Sequence, residues 1–264
     1  MISVVDISEL LAALGLSSGA SAEQRTMALI ALKTAHGSIR RRLKYDPCYA
    51  ERTEFYPGGD SAQGSRESFW EASDTHAYLR TVSLASSTQL QILHVPLRSV
   101  TSLWIDYDGR AGTQVGAFGS NTLKVQGQDF WPNYDGLDSD GAKFCRDGII
   151  HSHGAWPSVA GSVKITYFGG YKPKELRGED SVLDASGIWD ACLDEASRRF
   201  LKMKSRARNP LAGFAGPLTS ESMGDYSYTA DTGLMKSLLG GTDILPENAM
   251  KLEEFQNYGS MLGM

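Results

Sequence analysis

The chain has 264 residues, with 26 lysines and arginines against 31 aspartates and glutamates and 41% apolar residues. Those proportions exclude a wholly disordered or collagen-like chain, and no stretch approaches the roughly 18 consecutive apolar residues of a membrane span. Three scattered cysteines, Cys48, Cys145 and Cys192, argue against a disulfide scaffold and fit a reducing compartment.

The opening Met1-Ile2-Ser3-Val4-Val5-Asp6 lacks a basic n-region, so no secretory signal is expected. Asp6 or Ser8 can cap a short helix with apolar positions Ile7, Leu10, Leu11 and Leu14, ended by Gly15. Ser21, with Gln24 three residues on, starts a second helix whose apolar positions are Met27, Ile30, Leu32, Ala35, Ile39 and Leu43. Arg40, Arg41, Arg42 and Lys44 load its last turn, where the helix dipole favours cations, and Asp46-Pro47 ends it. From about residue 52 the hydrophobic period changes to two. Strands are predicted over Arg52–Tyr56, Tyr78–Leu84, Gln89–His94, Ser99–Tyr107, Thr113–Phe118, Ala142–Ile150 and Ser162–Phe168, with long loops at 58–76 and 126–140. Short connections imply antiparallel pairing.

Helical spacing returns over Val182–Arg206, with Leu183, Ile188, Trp189, Leu193, Ala196, Phe200 and Met203 as its apolar positions. After Asn209-Pro210 the chain is rich in Gly and Ser, then weakly helical from Pro246 to Tyr258. This order predicts an α+β fold: a small helical bundle carrying an inserted antiparallel β domain and an extended C-terminal arm. Residues 1–49 supply the N-terminal helices, 50–170 the β insertion, 171–208 the long helix completing the bundle and 209–264 the arm. Formal charge follows nearly the same division: +3 over 1–45, −1 over 46–49 from Asp46, −4 over 50–170, +2 over 171–208 and −5 over 209–264.

Chemistry-bearing residues are few. His151 and His153 share a strand face and could offer two imidazoles to a metal, although a turn role explains them without one. The run Asp135–Asp140 has the carboxylate density of a calcium loop but lacks its closing bidentate Glu, so an ordinary Asp/Gly loop is expected. Asp106 and Asp108 could be paired acids for glycoside hydrolysis, yet a hairpin turn before Gly109 accounts for them. No catalytic residue, metal or cofactor is expected. Arg198, Arg199, Lys202, Lys204, Arg206 and Arg208 form a basic run without interleaved aromatics, which reads as a solvated helix end, a packing surface for an acidic neighbour or a DNA contact.

Three passages in order resemble the head–tail connector (adaptor) proteins of tailed bacteriophages. They are Asp6–Leu16 with Ala22–Leu43; Leu90–Val100, an apolar-Pro step between strands; and Val163–Tyr171, a strand ending in a Gly-Gly-Tyr turn before a helix with Ala191, Ala196 and Arg198-Arg199. Gly224–Tyr228 is similar to the short polar-aromatic strand that often follows in that family. The β insertion and the tail past Ser227 are larger than in compact members.

The resemblance implies a structural virion protein of the phage neck, placed at the head–tail interface and made in the host cytoplasm. It implies a twelve-fold ring that joins the portal to the next neck protein, a stopper or tail terminator. DNA would pass through the channel without specific recognition, and no membrane is involved. Tyr226, Tyr228, Leu234, Leu238, Leu239, Ile244, Leu245, Leu252 and Phe255 are then expected to dock the arm on the portal. Arg40, Arg41, Arg42, Arg198, Arg199, Lys202 and Arg206 are expected to line the ring interface or the channel. The alternative expectation is a β-rich module that binds a carbohydrate or protein through Trp104, Trp131 and Trp156.

Overall fold

A computed structural model describes residues 4–16, 19–56, 88–108, 110–157, 161–208, 220–223, 226–229 and 244–256; of these, the side chains of 110, 205–208, 220–223 and 226–229 are not described. The fold is α+β. The described residues divide into two compact units, one within 4–44 and 185–256 and the other within 45–184.

In the helical unit, α1 spans Ile7–Ala13, and the Glu9 carboxylate accepts the Asp6 N–H at 2.7 Å. Helix α2 spans Ala22–Leu43 and opens with the expected capping box, Ser21 Oγ accepting from Gln24 N at 3.2 Å and Gln24 Oε1 accepting from Ser21 N at 2.8 Å. Lys44 closes it in the left-handed region, φ 64°. Its buried stripe is Ala28, Ala31, Leu32, Ala35, Ile39 and Leu43. Ile30, assigned to that stripe from the sequence, is 48% exposed. The alanines take the inward positions because small side chains let two helix backbones approach closely.

The long helix, α4, spans Ser186–Arg208 and packs on α2, with Arg199 Nη2 donating to Ser38 Oγ at 2.8 Å. It begins four residues later than predicted, because the Asp180 carboxylate accepts the backbone N–H of Val182 and Leu183 and holds that stretch as a turn. Ile188, Ala191, Cys192, Ala196 and Phe200 form its core stripe, while Leu193 is only half-buried. Burial of each large member contributes about 1.5–3 kcal/mol. After α4 come a hairpin, β10 (Ser220–Met223) with β11 (Tyr226–Thr229), and a last helix, α5 (Pro246–Lys251), followed by a single 3₁₀ turn at Glu253–Phe255.

The β unit is built on an antiparallel four-stranded sheet of order β1-β9-β3-β4, from Ala50–Tyr56, Val163–Gly169, Leu97–Ile105 and Leu123–Lys124. Central strand β9 alternates as its sequence predicts, with Val163, Ile165 and Tyr167 buried. A second sheet orders β2 (Gln89–Gln91), β8 (Ile149–Ser152) and β5 (Phe130–Pro132), and a small ribbon pairs β6 (Gly136–Leu137) with β7 (Lys143–Phe144). Gly169 and Gly170 are required where β9 ends. A Cβ at Gly169 would lie 2.3 Å from the His94 carbonyl oxygen, and one at Gly170, φ +97°, would lie 2.5 Å from that of Cys48. Short helix α3 (Pro173–Leu176) follows.

Several sequence expectations are corrected here. Thr113–Phe118 forms turns instead of a strand, with Gly116 at φ 82° and Phe118 at φ 57°. Ala142–Ile150 breaks into β7 and β8 at Gly148, φ 65°, and the stretch 126–140 contains β5 and β6. Gln89–His94 pairs only through Gln91, since His94 turns into the interior. Residues 171–184, assigned from sequence to the helical bundle, belong to the β unit, where Lys172, Lys174 and Glu175 find their ion-pair partners. The predicted strand Tyr78–Leu84 and loop 58–76 lie outside the described residues. No helix among the described residues is long and apolar enough to cross a membrane.

Candidate functional site

In the helical unit, the acidic residue that decides the geometry is Glu195. It stands at the i+3 and i+7 positions from Cys192 and Ile188, on the buried stripe of α4, and is itself 0% exposed. A carboxylate there needs partners, since an uncompensated buried charge costs several kcal/mol. Oε2 accepts from Arg198 Nη2 at 2.6 Å and lies 3.7 Å from Arg199 Nε. Oε1 accepts from the Leu245 backbone N–H at 2.6 Å and from Asn248 Nδ2 at 3.3 Å, with Asn248 also buried.

Glu195 thus fixes the first turn of α5 to α4. Around it, Ile244 and Leu252 are buried, Lys251 Nζ stands 3.4 Å from Asp194, and Arg42 Nη2 stands 3.3 Å from Glu253. Gly187 admits the Phe255 ring, which would lie 3.0 Å from a Cβ at that position.

This arrangement changes the expected roles of the arm and of the basic residues. Ile244 and Leu252 were expected to wait for a partner, but the chain's own helical unit buries them; Leu245 and Phe255 are half-buried beside them. Tyr226 and Tyr228 lie in β11, and Leu234, Leu238 and Leu239 lie outside the described residues. Arg198, Arg199 and Arg42 meet acidic partners inside their own unit. Arg41 bonds Ser38 Oγ at 3.2 Å and is exposed, Arg40 and Lys202 are half-exposed on their helices, and the side chain of Arg206 is outside the described residues.

The β unit holds two further buried polar sets. Glu54, His94, Tyr56 and Tyr167 are all 0–1% exposed. The Glu54 carboxylate accepts from His94 Nδ1 at 2.6 Å, from Tyr167 Oη at 2.8 Å and from Tyr56 Oη, and the two hydroxyls accept the backbone N–H of His94 and Leu93. Burial acts to raise the Glu54 carboxyl, but these bonds overcome it and hold it below the usual carboxylate range. Burial pushes the His94 imidazole down against the pull of Glu54, so a neutral ring donating through Nδ1–H to an ionised carboxylate is the consistent pairing. A glutamate, a histidine and two tyrosines have the makings of acid–base chemistry, and among the described residues all four are 0–1% exposed. Their chemical work is to bind residues 92–94 to β1 and β9.

The second set joins Arg98 on β3 to Glu175 of α3 and, at 3.3 Å, to Asp138, with Lys172 2.6 Å from Asp138 and Lys174 2.6 Å from Asp140. Asp138 also accepts the N–H of Asp140 and Ala142 at 3.0 and 2.8 Å. The Asp135–Asp140 run is therefore a cross-braced turn whose carboxylates Asp138 and Asp140 face lysines and an arginine.

Asp106 accepts the N–H of Asp108 and Phe118 at 3.0 and 2.8 Å, a turn role. His151 stacks on Trp131 at 5.8 Å between centroids, and His153 meets the same ring edge-on at 4.8 Å. Trp131 is 40% exposed but Trp156 is buried and Trp104 half-buried under Lys164, so the three tryptophans do not form one exposed platform.

Comparison of the chain with protein-family models, curated proteins and solved structures finds no match.

Neither Glu54 nor Glu195 was singled out from the sequence. Glu195 left a legible signal, a charge on an otherwise apolar helical stripe with arginines three and four residues later. Glu54 was hidden because Phe55, the apolar residue beside it, suggests the opposite strand phase.

Proposed function

We propose that this protein is a structural component of a tailed-bacteriophage neck, a ring-forming connector between the portal and the next neck protein, a stopper or tail terminator. The observation that carries the reading is the chain order. Helices from both ends of the sequence share one unit, an antiparallel β unit is inserted between them, and the C-terminal segment returns to the helices. That is the order on which the sequence resemblance rests.

In this reading the working parts are surfaces. A closed ring needs one face of a protomer to meet a different face of its neighbour. Twelve copies would match the portal, and the assembly would sit at the head–tail interface of the virion after forming in the host cytoplasm. A net charge of −5 suits a channel that DNA crosses without being held, because phosphate contacts made by cations retain DNA. Arg40, Arg41, Arg42, Arg198, Arg199, Lys202 and Arg206 stay the candidates for the ring interface or the channel. Tyr226, Tyr228, Leu234, Leu238 and Leu239 remain the candidates for portal docking.

The test is negative-stain imaging and mass measurement of the full chain, alone and with purified portal rings. Annular particles, or decoration of the portal, are expected. A chain that stays monomeric under both conditions contradicts the reading.

A second reading, a β-rich module binding a carbohydrate or protein, is favoured by exposed Trp131 with His151 and His153 around it. Tryptophan-dependent binding by a monomer in the same measurements would favour it.

A further inference from the structure

We infer that the outward face of the β2-β8-β5 sheet, centred on Trp131, is a binding site for a neutral saccharide. The inference deepens the second reading above and rests on it, not on the ring.

Strand register builds the site. Gln89, His151 and Trp131 stand in one row across the three strands. Gln91 and Ile149 form the next row, closed by Asn133, which donates its N–H to the Ile149 carbonyl oxygen at 2.9 Å. Alternation sends Leu90, Ile150, Phe130 and Pro132 to the buried side of the sheet and those six side chains to the other. Gln89, Trp131 and Asn133 are exposed, and Gln91, Ile149 and His151 are half-buried.

The indole is held in place before any ligand arrives. His151 stacks on it at 5.8 Å between centroids with the planes 13° apart, and His153, also exposed, meets it at 4.8 Å and 62°. His151 lies on β8 and His153 just past its end, so both imidazoles prop the ring from the β8 side of edge strand β5, and 40% of Trp131 stays open. A ring fixed in this way presents its surface with little ordering cost on binding.

Chemistry and size select the ligand. A saccharide offers hydroxyls that bond amides and imidazoles, and an apolar C–H face that stacks on an indole. Gln89, Gln91, Asn133 and the two histidines supply the first kind of partner and Trp131 the second. The six positions in the two rows carry no lysine, arginine, aspartate or glutamate, whereas a nucleic-acid strand needs cations along its path. At the margin, the Asp129 carboxylate accepts the Val125 N–H at 2.8 Å. Three strands at about 4.8 Å spacing and two alternate positions along them make a patch about 10 by 7 Å. That is the footprint of one or two sugar rings, far below the roughly 800 Å² that each partner gives to a stable protein interface.

The test is NMR of the full chain, reading its five tryptophan indole and five histidine ring signals. The probes are maltotriose, cellotriose and chitotriose at millimolar concentrations, with a heparin oligosaccharide and an oligothymidylate as charged counterparts. The Trp131 indole is assigned by its loss in Trp131→Ala. At least one neutral probe is expected to move the Trp131, His151 and His153 signals in a saturable way. Followed at His151, Trp131→Ala should weaken that binding at least about tenfold, and Trp131→Tyr, which keeps a ring, should weaken it less. Gln89→Ala, on a different strand, should weaken it about three- to tenfold.

The inference is overturned by silence toward all three neutral probes, by shifts with the charged probes alone, or by binding that survives Trp131→Ala and Gln89→Ala undiminished. Purified portal rings separate the two levels. If they move or broaden the Trp131 and His151 signals and no saccharide does, the saccharide is rejected and the second reading stands in its protein form. If neither does, both are rejected.

Discussion

In the β unit, Glu54 is satisfied by His94, Tyr56 and Tyr167, three residues on the same sheet or on the turn that enters it. In the helical unit, Glu195 is satisfied partly by its own helix, through Arg198, and partly by a segment 50 residues further along the chain. Both carboxylates are 0% exposed, yet removing them should have different consequences. The first closes a set whose members are already fixed by strand pairing, so it serves the stability of the sheet. The second acts with the buried Ile244 and Leu252 to seat a six-residue helix that is too short to persist alone, so it governs where that element sits. A buried charge can be a rivet or a latch, and the difference lies in what its partners would do without it.

The largest expected effect breaks the rivet. Glu54→Leu leaves a buried imidazole and two buried hydroxyls without their shared acceptor and should cost about 3–5 kcal/mol in denaturant unfolding. A cost below about 1 kcal/mol would mean that the cluster relaxes freely.

A packing change of similar size tests the other unit. Phe200→Ala should cost about 3–5 kcal/mol because Phe200 is fully enclosed, whereas Leu193→Ala, at a half-buried position, should cost about 1 kcal/mol or less. Equal costs would contradict the assignment of the α4 core stripe.

That second pair also shows what the sequence reveals. The elements α1, α2, β1, β3, β9 and α4 are legible because their apolar residues repeat at 3.6 or 2 and their caps are local: Ser21 with Gln24, and Gly169-Gly170 before Tyr171. The phase within an element is less legible. Leu193 and Ile30 look like core residues by type, but alanines and Cys192 take the inward positions where helices approach closely. The short strands β5 to β8 are two to four residues long, which leaves no room for a period to show. The site was the least legible part. Arg198 and Arg199 are near Glu195 in sequence, but Leu245 and Asn248, which tie α5 to it, lie 50 and 53 residues away, and no local pattern announces a contact of that span.

Acidification should separate the units more gently. His94 and Glu54 are both held below their ordinary pKa values, so the unfolded β unit binds more protons than the folded one and stability falls as pH drops. The His94 contribution is fully present above the ordinary histidine value of about 6.5 and is lost as pH falls through the lower, folded value. Glu54 acts below the carboxylate range, where Glu175, pushed up by burial, opposes it, so the histidine step is the cleaner readout. Unfolding of the β unit, followed by tyrosine near-ultraviolet signal, should come at lower denaturant at about pH 5.5 than at about pH 7.5. A midpoint that rises on acidification would contradict the assignment.

The smallest effect is expected at the surface. Arg42→Ala removes an ion pair whose partners are 41% and 56% exposed and should change stability by no more than about 1 kcal/mol, less at high salt. A larger loss in thermal unfolding would mean that this pair, not Glu195, carries the segment.

Hydrogen exchange on the full chain, compared with its Glu195→Gln variant, tests the latch most directly. The Leu245 amide, bonded to Glu195 at 2.6 Å, and the amides of Ala249, Leu252 and Phe255 should lose protection in the variant, while the amides of β1 and β9 exchange as before. Unchanged protection across Leu245–Phe255 would contradict the account, and so would loss of protection spread evenly over both units.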